Sequence, residues 1–224
     1  MATDAYRVLR HEILHGSLMP GDRLRIADLS ERYRLGVTPA REALMRLTSE
    51  GLVSWQSRRG ARVAPIDVEE FRDIIRTRRE IGRLCLTRAI ELGDAAWEAE
   101  IMRSFHLLKR TPFPDFSDAA EATVSWERFH REFHYALFAA CGSRWLLRFW
   151  NTLADQAGRY RKLLLIHAGA RTAEVHDFNS EHEEIMQAAI ARDIPAATAL
   201  QDKHFTQTEE AVARLVDRSV ELTV

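Results

Sequence analysis

The sequence predicts a mainly α protein: a small N-terminal module of three helices and a β-hairpin, followed by an all-α antiparallel bundle of six or seven helices. Three observations predict it. Apolar residues recur at helical spacing along most of the 224 residues, of which only 10 are Gly and 6 Pro, few for a β-sandwich or for disorder. Charge is divided, since residues 1–66 hold 11 Arg and no Lys against 7 acids, a net +4, while 67–224 carry a net −5. Pro65 removes a donor and Asp67 can cap a new helix, so the predicted boundary separates domain 1–66 from domain 67–224.

The first helix is predicted over Ala5 to His15, with Tyr6, Leu9 and Ile13 on one face, and it ends at Gly16 before the Met19-Pro20-Gly21-Asp22 turn. A short helix over Ile26 to Tyr33 comes next. Thr38-Pro39 is expected to open a third helix, with Thr38 as N-cap and Pro39 at the first helical position. Its inward stripe is Ala40, Ala43, Leu44 and Leu47, which leaves Arg41, Met45 and Arg46 outward until Gly51 stops it. Two short helices joined tightly, the second basic on its free face, make a helix-turn-helix pattern. The runs Leu52 to Trp55 and Ala61 to Ala64 flank a basic turn ending at Gly60, a hairpin or wing. Beyond Asp67 the pattern predicts helices over 67–92, 94–110, 117–141, 143–167, 171–191 and 193–220.

No stretch is long and apolar enough to span a bilayer, and the start is amphipathic and lacks the apolar run of a signal peptide, so a cytoplasmic protein without a membrane partner is expected. Cys85 and Cys141 fall inside helical patterns, where reduced, buried thiols are common. A Gly-rich phosphate loop, a G-x-S-x-G elbow and an H-E-x-x-H helix are all absent, and no enzyme is expected. A helical metallohydrolase with Glu183 or Glu127 as base is the enzymatic alternative, and it leaves the N-terminal module unexplained.

A helix in the major groove needs donors on its exposed face, because guanine presents O6 and N7 and the backbone presents phosphate oxygens. Arg41 and Arg46 are placed for that, Thr38 offers a hydroxyl and a helix N-terminus to a phosphate, and Arg25 adds a cation nearby. Arg58, Arg59 and Arg62 of the wing would follow the flanking backbone or minor groove. In the second part, His130 and His134 stand at i, i+4, with His182 and His204 on later helices. Imidazoles from facing helices can hold zinc, nickel or a similar ion in a bundle core; a solvated pair is the alternative from spacing alone. Arg76 and Arg159, on helices expected to face the core, are candidate clamps for an anionic effector.

The segments H-G-S-L-M-P-G-D-R-L, A-D-L-S-E-R-Y, T-P-A-R-E-A-L-M-R-L, S-E-G-L-V and R-R-G-A-R-V-A, within Leu14 to Ala64, closely resemble the winged helix-turn-helix of GntR-type bacterial transcription regulators. The rest resembles the helical effector domain of the FadR branch, the FCD type. The resemblance implies a homodimeric regulator, a repressor by expectation, that binds a palindromic double-stranded operator and responds to a small carboxylate. Many members carry Arg immediately before the Thr-Pro pair; here Val37 stands there, which shifts base readout onto Arg41 and Arg46. Metal-binding effector domains of this type show D-x-x-x-H, then E-H-x-x-I, then a final His, and H-R-E-F-H, E-H-E-E-I and K-H-F fall in that order. His134, His182 and His204 therefore match as ligands, with His130 where the Asp usually stands. An all-nitrogen site favours zinc, nickel or copper over manganese or magnesium. A metal-independent regulator holding an acyl-coenzyme A is the alternative within the branch.

Overall fold

The computed structural model describes residues 2–56, 60–113, 119–167 and 178–221. Helix α1 (Ala2–Leu14) packs along α3 (Val37–Ser49), with the short α2 (Ile26–Arg32) against the other side of α3. The apolar faces of these helices enclose Ala5, Leu9, Ile13, Leu29, Leu44 and Leu47, all buried, as the helical spacing requires.

Helix α3 starts earlier than expected. Its N-cap is Gly36 in extended backbone (φ −69, ψ 150), with no side-chain cap bond, so Thr38 lies inside the first turn and is not the cap. Pro39 sits in that first turn, where its missing N–H leaves no helical bond unmade. Its ring comes within 3.1 Å of where a Cβ on Gly36 would stand, which leaves little room for any other residue there. At the far end Gly51 takes φ +72, its N–H donating to Thr48 O and that of Leu52 to Leu47 O. This pairing closes the helix and needs the left-handed conformation that glycine adopts without strain.

The wing forms from β2 (Val53–Gln56) and β3 (Gly60–Val63), paired from Val53↔Val63 to Gln56↔Gly60. Each strand is displaced by one residue from the expected run. A third strand, β1 (Arg23–Leu24), pairs with β3 and makes the antiparallel order β1-β3-β2. Its two residues are too few to show a period in sequence.

Asp67 caps α4 (Val68–Leu92) by accepting from Glu69 and Glu70 N–H at 2.8 and 3.2 Å, and Asp94 caps α5 (Ala95–Arg110) through Trp97 N–H. Then come α6 (Ala119–Phe138), α7 (Arg144–His167), α8 (Phe178–Ile190) and α9 (Ile194–Glu221). The expected start of the fifth bundle helix, residue 171, lies outside the described residues. Helix α4 packs against α7 and α9, α5 against α6, and α8 against α9, around a core of Phe71, Ile75, Leu86, Phe133, Trp150 and Phe205. Cys85 and Cys141 are both free and buried, and burial with the neighbouring Cys141 pushes the Cys85 thiol up to about 12. No described helix is long and apolar enough to cross a membrane.

Candidate DNA-binding face and candidate metal centre

Burying Ala40, Ala43, Leu44 and Leu47 turns the opposite face of α3 outward, and Thr38, Arg41, Met45 and Arg46 are exposed there. Arg46 stacks on Tyr6 at 3.7 Å and pairs with Glu50 at 3.5 Å, so this cation is oriented along the helix end. Val37, 56% exposed, occupies the position before Thr38. Arg25 is exposed immediately before α2. Arg62 Nη1 donates to Gly21 O at 2.8 Å, fastening the turn before β1 to the wing. Arg58 and Arg59 lie outside the described residues.

The four histidines come together. His130 and His134 point inward from α6, His182 from α8 and His204 from α9, each between 0 and 3% exposed. The Nε2 of His134 is 3.2 Å from those of both His130 and His182, and all four rings present ligand nitrogens within 4.8 Å of one another. A four-coordinate zinc with Zn–N near 2.05 Å would separate its nitrogens by about 3.3 Å, so the spacing fits such an ion. The donor chemistry agrees, because buried imidazole lone pairs converging at this distance repel unless a proton or cation lies among them. His204 Nδ1 lies 2.8 Å from the Glu181 carboxylate, which leaves Nε2 for the cluster. Trp126 stacks on His130 at 4.6 Å and Phe133 packs edge-on to His134 and His182, which holds the rings in place.

A cavity of about 410 Å³ reaches His130 and His134, bounded also by Arg78 and Trp150. Arg78, from α4, is 2% exposed, with its guanidinium 4.4 Å above Trp150 and 5.0 Å from Phe205. Trp150 Nε1 is a buried donor without an acceptor among the described residues. The carboxamide of fully buried Gln201 also lacks a partner there, and its Nε2 lies 3.0 Å from where a Cβ on Gly82 would stand.

The two arginines expected as clamps do not join this cavity. Arg76 is 63% exposed and pairs with Asp73 on its own helix, because that position of α4 faces solvent. Arg159 is buried but serves the joint between the two halves of the chain: it donates to Ala64 O at 2.6 Å, to Pro65 O at 3.4 Å and to Gln156 Oε1 at 2.8 Å. Burial lowers its pKa, opposed by Tyr160 and Glu70. Arg78, two residues beyond Arg76, is the buried cation that sequence reasoning missed; its position among the apolar residues of α4 was the available signal. Glu181 was missed too, since its partner comes from another helix. Cys141, just beyond α6, has its Sγ 3.7 Å from Ser143 O and lies outside the histidine cluster.

Comparison with known proteins gives two family matches. Residues 1–63 match the model "Bacterial regulatory proteins, gntR family", and residues 73–207 match the FCD domain. The chain is 35% identical over 203 residues to the HTH-type transcriptional repressor GlaR of Escherichia coli (strain K12), covering 90% of this chain and 91% of that one. It is also 35% identical over 207 residues to the HTH-type transcriptional regulator BphR of Paraburkholderia xenovorans (strain LB400), covering 92% and 83%. Among solved structures, E. coli McbR/YncC superposes with a TM-score of 0.79 at 20% identity over 96% of this chain and 98% of that one, a likeness of fold.

Proposed function

The chain belongs to the GntR family of bacterial regulatory proteins, with an FCD domain behind its helix-turn-helix, and on that premise we propose a metal-dependent, carboxylate-responsive repressor. The observation that carries the finer part of this reading is the convergence of four buried imidazoles beside a cationic cavity.

In this reading residues 1–66 bind DNA and residues 67–224 bind the effector and dimerise. Each protomer of a cytoplasmic homodimer lays α3 in the major groove of one half-site of a palindromic operator. Arg41 and Arg46 face base edges, while Thr38, Arg25 and the wing arginines Arg58, Arg59 and Arg62 meet backbone. His130, His134, His182 and His204 would hold zinc or nickel, with Glu181 fixing the His204 tautomer. An ion held there would supply Lewis acidity to a carboxylate oxygen only by expanding its coordination beyond the four nitrogens. Arg78 faces the same cavity, placed to receive the anion's charge, and Trp150 Nε1 is a donor already desolvated.

Elemental mass spectrometry on protein purified untagged and without chelator tests the metal. About one zinc or nickel per chain, lost in a folded His134→Ala, His182→Ala double variant, is the expected result. A metal-free wild type overturns it.

A further inference from the structure

The cavity that reaches the histidines is not closed by the helical bundle alone. Arg10, His11 and Leu14 of α1, with His15 just after it, form one wall, with Ala154 and Gly158 of α7 also lining the cavity. A segment of the DNA-binding half thus borders the space where a ligand would lie, and about 410 Å³ suits a small organic molecule.

The wall is cationic. Arg10, Arg78, Arg128 and Arg131 line the cavity against two acids, Glu127 and Asp155. Asp155, 10% exposed, is shared: Arg10 of α1 donates to one carboxylate oxygen and Arg131 of α6 to the other. Asp155 and Glu50 both face Arg10, and an incoming anion would have to compete with them for that guanidinium. Arg10 reaches Glu50 at the end of α3, 3.4 Å away, and Gln156 of α7 donates to the backbone carbonyl of that same glutamate. A change of partner at Arg10 is felt directly by the recognition helix.

We infer that the cavity is an anion site shared by the two domains, in which a small carboxylate extends from the histidine side to Arg10 of α1 and competes with Asp155 for that guanidinium. This rests on the carboxylate-responsive reading of the protein. Its consequence is that the ligand touches the DNA-binding domain itself. Effector and operator then need no long relay: the ligand prefers the domain pose in which Arg10 has turned from Asp155, and that differential contact is the coupling between the sites.

Isothermal titration of the zinc-loaded full chain with acetate, malonate, succinate and adipate tests the inference, in wild type, Arg10→Ala and Asp155→Asn. Where a probe binds the wild type, Arg10→Ala is expected to weaken it by about tenfold with the zinc content unchanged, the size of loss that accompanies removal of one charged partner. Asp155→Asn is expected to tighten it, because the competing carboxylate is gone, a gain that mere damage to the fold would not produce. Hydrogen exchange over α1 should slow on adding the probe in wild type and stay constant in Arg10→Ala. Unchanged affinity in Arg10→Ala, or equal weakening in Asp155→Asn, overturns the shared site and leaves the carboxylate reading standing. Failure of all four probes to bind the zinc-loaded wild type overturns the carboxylate reading and the inference with it.

Discussion

Glu181 shows how one carboxylate can orient a buried ring. Its carboxylate faces His204 Nδ1 at 2.8 Å and so selects which nitrogen of that ring turns to the cluster. Replacing it by Gln keeps the shape and removes the charge, and we expect zinc affinity to fall by about 10- to 100-fold, read by competition with a chromophoric chelator. An unchanged affinity would show that packing alone orients the ring. Spacing alone left a solvated pair open for His130 and His134; it was the resemblance to metal-binding FCD domains, with E-H-E-E-I and K-H-F in order, that marked the histidines as a set. Glu181 was not legible, since its partner is His204 on the next helix and only the packing of α8 on α9 brings them together. Arg76 and Arg78 give the same lesson in reverse. Both lie on α4, but a rotation of two residues on a 3.6-residue helix separates a solvent-exposed cation from one stacked on Trp150.

Among the elements, helices were the most legible, because Asp67 and Gly51 are end signals with a mechanism and the structure uses both. Thr38 carried the same kind of signal and misled, since Pro39 fits equally well two positions further into the first turn, behind Gly36. Strand β1 could not be seen: its only support is pairing with β3, more than thirty positions away in the chain. Two predictions belong here. Arg41→Ala on the exposed face of α3 should cost about 1–3 kcal/mol on a DNA duplex selected from a random library and relax its base preference, measured by fluorescence anisotropy. Binding as tight as wild type would move the recognition surface elsewhere. Gly93 closes α4 at φ −66, but a Cβ there would stand 2.3 Å from the Trp97 ring and 2.7 Å from Ala89 O. Trp97 is held by its indole N–H to Ala136 O, so Gly93→Ala should destabilise the bundle by about 1–3 kcal/mol in urea unfolding, with no change expected if the ring can retreat freely.

Across the whole molecule, α7 does two jobs with two faces. Trp150, Ala154, Asp155 and Gly158 border the cavity, while Asp155 also holds α1, and Gln156 and Arg159 hold the end of α3 and the segment after the wing. The charge division of the sequence pointed to two parts, and the Arg159 contacts that join them were hidden because backbone carbonyls leave no trace in composition. Arg159→Ala strips hydrogen bonds from Ala64 O and Pro65 O, at a cost of about 1–3 kcal/mol. Calorimetry should then resolve two transitions where the wild type shows one, and a single cooperative transition in the variant would mean that other contacts join the halves. If the histidine cluster holds a metal, as proposed, the cavity bordered by α1 offers a route by which that metal changes the grip on DNA. The measurement to make is the affinity of the full chain for its selected duplex at fixed salt, zinc-loaded and after chelation, beside the His134→Ala, His182→Ala variant. A difference of about threefold or more in the wild type, absent from the variant, is expected from linkage between the two sites. Equal affinity in all four samples would contradict that linkage and reduce the histidine cluster to a structural part of the bundle.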